Sequence, residues 1–226
     1  MCEPENIRAV ENLGVDMIGL VFRKGDERYV GMVSSKAGII PDYAKKEIGD
    51  NEEVNDNCKK VCRVGVFADD MPQNIVTRIY NYNLDCVQLD GKENVVMIDN
   101  LRRTVDPDIH PGLKIIKKID VMTAEDLKQS HEFEGHADML LFAISKTAEY
   151  LDGETNSSEN CSISKLFDAY VGDTPFLVGG DISVEDIDDI KEINNPMFAG
   201  VDLNSMFEIK PGYKDVEKIK TFISQL

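Results

Sequence analysis

Short apolar segments of strand length alternate along the chain with longer segments in which apolar residues recur at helical spacing. The short segments are nearly continuous in Val, Ile, Leu and Phe, which is typical of strands buried on both faces of a parallel sheet. They predict strands over residues 17–22, 61–67, 86–89, 113–119, 139–144, 176–178 and 198–202. The pattern therefore predicts an α/β protein built from repeated strand–helix units.

Helix start and stop signals lie between these strands. Pro4 opens a predicted helix over residues 5–13 that Gly14 ends, and Pro72 opens another that runs to about Tyr82. Thr123 precedes an acidic first turn and is predicted to be an N-cap, as is Ser183 later in the chain. The last helix, which follows Asp215, is expected to place four apolar side chains on one face: Val216, Ile219, Phe222 and Ile223.

The number of units predicts the architecture. Seven strands are predicted, and the printed sequence begins with a helix. In an alternating series that helix lacks the strand before it, and restoring the strand gives eight, the number that closes a (β/α)8 barrel. We therefore predict an α/β fold, a (β/α)8 TIM barrel lacking its first strand, with residues 1–226 as a single domain. An open doubly wound sheet is the alternative.

Two regions interrupt the alternation. Residues 31–60 are polar and charged and are predicted to form one poor helix and a mobile loop. Residues 147–162 have no periodicity and have the composition of a disordered loop. Neither region separates two complete sets of units, so neither is interpreted as a domain boundary.

Composition and charge exclude some classes of function. Lys+Arg 25 against Asp+Glu 42 gives a formal net charge of −17, and Trp is absent, which argues against a nucleic-acid partner. No apolar run approaches the roughly 18–20 residues that span a bilayer, so no membrane partner is expected. Five scattered cysteines favour a reducing, cytoplasmic location over a disulfide framework. Both a monomer and a homodimer stay open.

Metal-ligating residues do not cluster in the sequence. Cys58 and Cys62 are four residues apart, without a second Cys or His pair near them. His110, His131 and His136 have no carboxylate at a ligand-like spacing. No metal site is predicted.

Residues that follow the predicted strands are the candidate site residues, because a barrel builds its site at the carboxyl ends of its strands. Gly179 and Gly180 follow a buried strand and precede a capped helix, where backbone N–H groups can approach an anion. Asn204 and Ser205 follow the next strand and can donate to the same anion. The four residues predict a phosphate site; an ordinary strand-to-helix turn is the alternative for the glycine pair.

Several segments resemble, in order and spacing, the phosphoribosylanthranilate isomerase family of tryptophan biosynthesis. They are EPENIRAV (3–10), GLVF (19–22), RYV (28–30), VGVF (64–67), VQLDG (87–91), GG (179–180), GVDLNS (200–205), PG (211–212) and KD (214–215). The resemblance implies an isomerase that carries out the Amadori rearrangement of N-(5-phosphoribosyl)anthranilate, a small-molecule sugar phosphate, to 1-(2-carboxyphenylamino)-1-deoxyribulose 5-phosphate. It also implies that no metal or organic cofactor is needed.

Site residues follow from the resemblance by position. Arg28 matches the substrate-contacting Arg, and the phosphate loops match Gly179, Gly180, Asn204 and Ser205. Ala143 stands at the position of the general acid, and alanine cannot transfer a proton. Asp90 replaces a His of the family beside the substrate, where its charge is expected to repel an anionic substrate.

The family's general base is a Cys in a Lys-x-Cys-Gly motif. The alignment places that Cys two residues before Met1, so an in-frame motif is expected in the coding DNA upstream, and Cys2 is only a secondary candidate. Three functions stay open. The chain is an isomerase, a catalytically impaired paralogue that keeps only sugar-phosphate binding, or an enzyme that uses Asp90 or Asp181 on another sugar phosphate.

Overall fold

The computed structural model describes residues 1–31, 61–106, 108–146 and 162–226, together with the strand assignment of residues 34–35 and 38–39. These residues form two compact units, each described by itself. The N-terminal unit comprises Met1–Lys114 and Ile209–Val216, and the C-terminal unit comprises Ile115–Glu208 and Glu217–Leu226. The single domain over residues 1–226 stays a prediction.

Strands and helices alternate along the described chain as the sequence pattern predicts. In chain order they are α1 (Pro4–Glu11), β1 (Met17–Val21), β2 (Ser34–Ser35), β3 (Gly38–Ile39), β4 (Cys62–Phe67), α2 (Pro72–Tyr82), β5 (Cys86–Leu89), α3 (Val95–Val105), β6 (Lys114–Val121), β7 (Met139–Ile144), α4 (Ile163–Asp168), β8 (Phe176–Gly180), α5 (Ile187–Lys191), β9 (Phe198–Val201), β10 (Glu208–Lys210), β11 (Tyr213–Lys214) and α6 (Val216–Gln225). Short 3-10 segments span Asp126–Phe133, Val184–Asp186 and Ser205–Phe207. No described helix combines the length and hydrophobicity that crossing a bilayer requires.

Three parallel strands form the centre of the N-terminal unit. β1 pairs with β4, and β4 pairs with β5, all in parallel. Leu20, Phe67 and Leu89 are almost completely buried, and so are Ile75 and Ile79 of α2. Because the three strands are parallel, their carboxyl ends lie at the same edge of the sheet.

The C-terminal unit contains the parallel series β6, β7, β8 and β9. An aromatic cluster packs against it, with ring centroids 5.7 Å apart for Phe142 and Phe167 and 5.0 Å apart for Tyr170 and Phe176. Offset and edge-to-face rings at these distances add to the stabilisation from burial. The cluster therefore packs against β7 at Phe142 and against the start of β8 at Phe176.

The predicted strands are all confirmed. Two of them, residues 86–89 and 139–144, coincide with β5 and β7, and β8 extends two residues further to include Gly179 and Gly180. Gly14 follows α1 with φ +80°, the left-handed conformation expected of a helix-ending glycine. Ser183 forms the predicted capping box with Asp186.

Two helix predictions are corrected. The segment that begins near Thr123 is a 3-10 helix, and its capping runs in reverse, since the Thr123 N–H and hydroxyl donate to the Asp126 carboxylate at 2.8 and 3.2 Å. In α6, Ile219 and Phe222 are buried but Ile223 is 36% exposed. The buried stripe of this short helix is too narrow to include Ile223.

Helices α3 and α4 lack an assigned start in the sequence interpretation. For α3 a usable signal exists, because the Asn94 side chain accepts a hydrogen bond from the Met97 N–H at 3.0 Å as an N-cap. The predictions for residues 31–60 and 147–162 fall mostly outside the described residues. Within the first of these regions, β2 and β3 form an antiparallel pair, and the predicted helix is not tested by the described residues.

Candidate active site

The carboxyl ends of β1 and β5 bring four charged side chains together in the N-terminal unit. Arg23, two residues after β1, donates from Nη2 to Oδ2 of Asp26 at 2.6 Å, and its Nη1 lies 3.5 Å from Oδ2 of Asp90. Arg28 contributes its Nη1, 3.8 Å from Oδ1 of Asp26. We call Arg23, Asp26, Arg28 and Asp90 the charge cluster. Its two Arg and two Asp side chains sum to zero formal charge.

Two hydrogen bonds position Asp90, one to the backbone of β4 and one from a side chain of β5. Its N–H donates to the Phe67 carbonyl at 2.8 Å, and Gln88 Nε2 donates to its Oδ1 at 2.8 Å. The side chain is 8% exposed. A carboxylate so buried needs a cation or hydrogen-bond donors, and Arg23 is the cation beside it. The negative charge expected at Asp90 is therefore balanced within the N-terminal unit.

Asp26 is the acceptor between the two arginines. Burial by itself would raise its pKa, but the hydrogen bond from the Arg28 backbone N–H and the hydrogen bond and charge of Arg23 outweigh it. The pKa of Asp26 therefore lies below its ordinary value of 3.8. Gly25 has φ +86°, the conformation that lets the turn bring Asp26 back onto Arg23.

A cavity of about 510 Å3 opens beside the charge cluster. It lies within the N-terminal unit, where the residues after β1 and β4 line it: Phe22, Arg23, Lys24, Asp26, Ala68, Asp69 and Asp70. Clefts of a few hundred cubic ångströms with a few convergent polar groups are typical of small-molecule sites. The cavity also stands at the strand ends, where barrel enzymes build their sites.

Cys2, the secondary candidate for the base, lies beside the backbone of Arg28. Its Sγ donates to the Arg28 carbonyl at 2.9 Å, and its N–H donates to the Gly212 carbonyl at 3.1 Å. A general base must accept a proton, whereas this thiol uses its proton to bind a carbonyl oxygen. The geometry thus describes a structural contact with the chain around Arg28.

In the C-terminal unit, the residues near the ends of β7 and β8 have small side chains or none. Ala143 of β7 stands in register with Gly179 of β8, and Ile144 stands in register with Gly180. Ala143 is 7% exposed. The side chain at the predicted acid position is therefore a buried methyl group with no proton to transfer.

Gly180 meets the backbone of β7 so closely that only glycine fits. Its φ is +91°, and a Cβ built there would lie 2.1 Å from the Ile144 carbonyl oxygen. At Gly179 a Cβ would lie 3.0 Å from both Asp202 Cβ and Leu141 Cδ1. Close packing against β7 and the residue after β9 therefore accounts for both glycines, and their role in binding a phosphate stays a prediction.

Asn204 makes a hydrogen bond within the loop after β9. Its Nδ2 donates to Oδ2 of Asp202 at 2.7 Å, so the amide is used within the loop. Ser205 is exposed and opens the 3-10 segment that follows. The structure thus places Asn204 next to Asp202 and Gly179, while Ser205 faces solvent.

The charged residues after β7 and β8 also pair within the C-terminal unit. Asp181 accepts from the Lys146 backbone N–H at 3.0 Å, and the Lys146 Nζ lies 2.6 Å from the Asp186 carboxylate. Asp181 is therefore tied to the backbone that follows β7. In the described part of the chain, no group of three or more His, Cys, Asp or Glu side chains is placed to hold a metal ion.

Comparison with known proteins identifies the family. A family model described as N-(5'phosphoribosyl)anthranilate (PRA) isomerase matches residues 23–225. A curated N-(5'-phosphoribosyl)anthranilate isomerase of Parabacteroides distasonis is 32% identical over 226 residues, covering 100% of this chain and 90% of the relative. The chain belongs to the PRA isomerase family. A second relative with the same name, from Phocaeicola vulgatus, is 31% identical over 100% of this chain and 94% of its own length.

Solved PRA isomerases share the fold. The structure from Thermotoga maritima has a TM-score of 0.68 at 22% identity and covers 100% of this chain and 94% of its own. Another, described as a complex with reduced 1-(o-carboxyphenylamino)-1-deoxyribulose 5-phosphate, has a TM-score of 0.66 at 20% identity with the same coverage. These matches confirm the predicted (β/α)8 barrel class; the described strands do not include the one that would precede α1.

Sequence reasoning missed Arg23, Asp26 and Asp202 as site residues. Opposite charges three residues apart around Gly25 were a usable signal for the Arg23–Asp26 pair. Asp202 gave no local signal, because its role depends on Asn204 and on the β8 backbone beside it.

Proposed function

We propose that the protein is a PRA isomerase of tryptophan biosynthesis. Its reaction is the Amadori rearrangement of N-(5'-phosphoribosyl)anthranilate to 1-(2-carboxyphenylamino)-1-deoxyribulose 5-phosphate. The full-length match to a curated isomerase at 32% identity carries this proposal. The odd number of scattered cysteines accords with a reducing cytoplasm as the location.

Binding of the phosphate group is assigned to the strand ends of the C-terminal unit. Gly179 and Gly180 offer backbone to the phosphate, and Ser205 adds an exposed hydroxyl. Asn204 is assigned to the phosphate through its side-chain amide, whose Nδ2 also donates to Oδ2 of Asp202 at 2.7 Å. Arg28 contacts the substrate, with the Arg28 guanidinium near Asp26 and 28% of its side chain exposed.

The chain differs from its family at the predicted position of the general acid. An aminoaldose opens when a proton reaches its ring oxygen, and a positioned acid contributes typically about 10²–10⁴ in rate. Ala143 supplies no such proton. We therefore expect turnover that is slow but measurable, because binding and the remaining groups still act on the substrate.

The test introduces a carboxylic acid at position 143. The gene is expressed with any in-frame codons that precede Met1, and kcat is measured for the wild type, Ala143→Asp and Ala143→Asn. We expect Ala143→Asp to raise kcat by about 10²-fold or more. Ala143→Asn, which matches the shape without a titratable proton, should leave kcat near the wild-type value.

Growth gives an independent readout. The wild-type gene should support a tryptophan auxotroph that lacks the isomerase, and Ala143→Asp should support faster growth. If neither gene restores growth while both purified proteins bind the product analogue, the chain is the impaired paralogue that keeps only sugar-phosphate binding.

A further inference from the structure

A lysine and an aspartate lie beside Ala143 at the end of β6. Asp120 stands in register with Ala143, and Lys118 stands in register with Leu141, two residues earlier. Neighbouring strands of a sheet are about 4.8 Å apart, so Asp120 is one strand spacing from the residue at the predicted acid position. All four residues belong to the C-terminal unit.

These side chains share the face of the sheet that is turned away from the helices. Phe142, the residue before Ala143, stacks against Phe167 of α4 on the helix side. Because side chains alternate between the two faces of a strand, Ala143 projects to the other face. Residues in register on parallel strands share a face, so Lys118 and Asp120 project with it. In a (β/α)8 barrel, that face lines the interior.

Lys118 is a charged residue in an otherwise apolar layer. Ile116, two residues before it, and Leu141 beside it are each only 2% exposed. The Lys118 Nζ lies 2.8 Å from Oδ1 of Asp120, and the two side chains are 23% and 78% exposed. Two residues of strand rise by about 6.6 Å, so the lysine stem carries the ammonium from the apolar layer to the level of Ala143. An ion pair with so exposed a partner contributes little stability, which leaves the lysine without a structural reason.

We propose that Lys118 is the general acid that replaces the one missing at Ala143. This inference rests on the proposed function, because it requires an aminoaldose substrate whose ring opens. A lysine ammonium has three N–H donors and is protonated at neutral pH, and within the described residues its ion-pair partner is Asp120. Lysine is also one of the side chains that transfer protons in general acid catalysis.

The proposed step moves one proton. An N–H bond of the Lys118 ammonium breaks, and the proton passes to the ring oxygen of the substrate as the bond between that oxygen and the anomeric carbon breaks. The oxygen keeps the electron pair of that bond and becomes a hydroxyl group, while the lone pair of the substrate nitrogen forms the C=N bond of a Schiff base. Lys118 is left as a neutral amine and regains a proton from water. Because an ammonium is a weaker acid than a carboxylic acid, this step accords with slow turnover.

The test asks whether Lys118 matters only when residue 143 lacks an acid. With the gene expressed as above, kcat is measured for Lys118→Arg and Lys118→Met in the wild-type background and again in the Ala143→Asp background. We expect each substitution to lower kcat at least about 10-fold in the wild-type background and less than about twofold in the Ala143→Asp background. Lys118→Arg keeps the positive charge but does not release its proton, so it separates proton transfer from charge.

Two controls accompany these variants. Lys128→Met is matched, because Lys128 also pairs with a carboxylate of the C-terminal unit, Glu125 at 2.6 Å. It should leave kcat within about twofold of the wild-type value. Reduced 1-(o-carboxyphenylamino)-1-deoxyribulose 5-phosphate should bind Lys118→Arg within about threefold of the wild-type Kd in calorimetry, which shows that the variant is folded.

Asp120 is a positioning residue in this arrangement, because it holds the Lys118 Nζ at the level of Ala143. Asp120→Asn should lower kcat about 3- to 10-fold in the wild-type background without changing KM, and Asp120→Glu should recover part of the loss. Neither substitution should change kcat in the Ala143→Asp background. A merely structural role would lower kcat in both backgrounds.

Failure of this inference is distinguishable from failure of the proposed function. If Lys118→Arg turns over as fast as the wild type, or if both Lys118 variants lose the same factor in both backgrounds, Lys118 does not supply the proton and only this inference fails. If only proteins with Ala143→Asp turn over, the lysine does not replace the acid. If neither the folded wild type nor Ala143→Asp turns over the substrate, the proposed function fails and this inference falls with it.

Discussion

The two units carry opposite kinds of strand end. In the N-terminal unit, the residues after β1 and at the end of β5 are long and charged, and they satisfy one another through the charge cluster. In the C-terminal unit, β7 carries Ala143 next to its last residue and β8 ends in Gly179 and Gly180, which pack closely against β7 and the residue after β9. The strand ends of one unit thus carry charged side chains, and those of β7 and β8 in the other carry a methyl group or no side chain.

This difference predicts how each region tolerates change. Arg23, Arg28 and Asp26 of the charge cluster are partly exposed, so they can be replaced at modest cost in stability, whereas Asp90 is buried. The glycine positions are defined by the space between two backbones, where an added carbon has nowhere to go. Substitutions should therefore affect mainly binding in the first region and mainly folding in the second.

The largest effect is expected at Gly180. Gly180→Ala would place a Cβ 2.1 Å from the Ile144 carbonyl oxygen at a φ of +91°. We expect the free energy of unfolding, measured with urea, to fall by about 3–5 kcal/mol. Gly135→Ala is the control, because Gly135 also has a positive φ (+75°) but nothing lies within 4 Å of its added carbon. It should cost only about 1–2 kcal/mol, and equal losses at both sites would show that φ alone decides.

An intermediate effect is expected at Gly179. Gly179→Ala would press a Cβ against Asp202 and Leu141 at 3.0 Å, which should cost about 1–3 kcal/mol of unfolding free energy and weaken inorganic phosphate binding. The matched change in the N-terminal unit is Gly19→Ala in β1, where the nearest atom is Val66 Cγ2 at 3.8 Å. It should alter stability by less than about 1 kcal/mol. A costlier Gly19→Ala would remove the contrast between the two units.

The smallest effect is expected in the charge cluster. Asp26→Asn removes the charge between Arg23 and Arg28, and we expect a loss of about 1 kcal/mol at pH 7, since these side chains are partly exposed. The exposed Asp108→Asn in the same unit should change stability by less than about 0.5 kcal/mol. Urea unfolding of both variants gives the comparison.

The pH dependence of that loss follows from the lowered pKa of Asp26. Because its pKa in the folded protein lies below 3.8, the unfolded chain binds more protons as the pH falls through this range. The stabilisation is present above about pH 4 and is lost as the pH falls towards the folded pKa. The difference between wild type and Asp26→Asn should therefore shrink below about pH 4; a constant difference would mean that the charge of Asp26 contributes nothing.

A similar acid-sensitive contact occurs in the C-terminal unit. Burial would raise the pKa of Asp189, but hydrogen bonds from the Ser162 hydroxyl and from the backbone N–H groups of Ser164 and Ile163 lower it overall. This carboxylate caps the start of α4 from a different helix. Lowering the pH should therefore reduce the stability of both units, and protonation of Asp189 should contribute to this loss in the C-terminal unit.

Particular residues show how far sequence reasoning reached. Gly179 and Gly180 were singled out as a phosphate site because they follow a buried strand and precede a capped helix, and that assignment stays a prediction. The resemblance assigned Arg28 by position, and that assignment stays a prediction. The repulsion expected at Asp90 did not anticipate Arg23, because an ion pair between residues on β5 and after β1 depends on how the strands align.

Local periodicity predicted the order of strands and helices, because buried parallel strands must be apolar along their whole length, and the strand count favoured the barrel over an open sheet. The sequence also determined that Ala143 cannot transfer a proton, since this is a property of one side chain. Tertiary structure decided which charges meet, that Asn204 turns to Asp202, and that Gly180 has no space for a Cβ. These depend on distances between segments remote in sequence, which packing of the folded chain sets and no local pattern encodes.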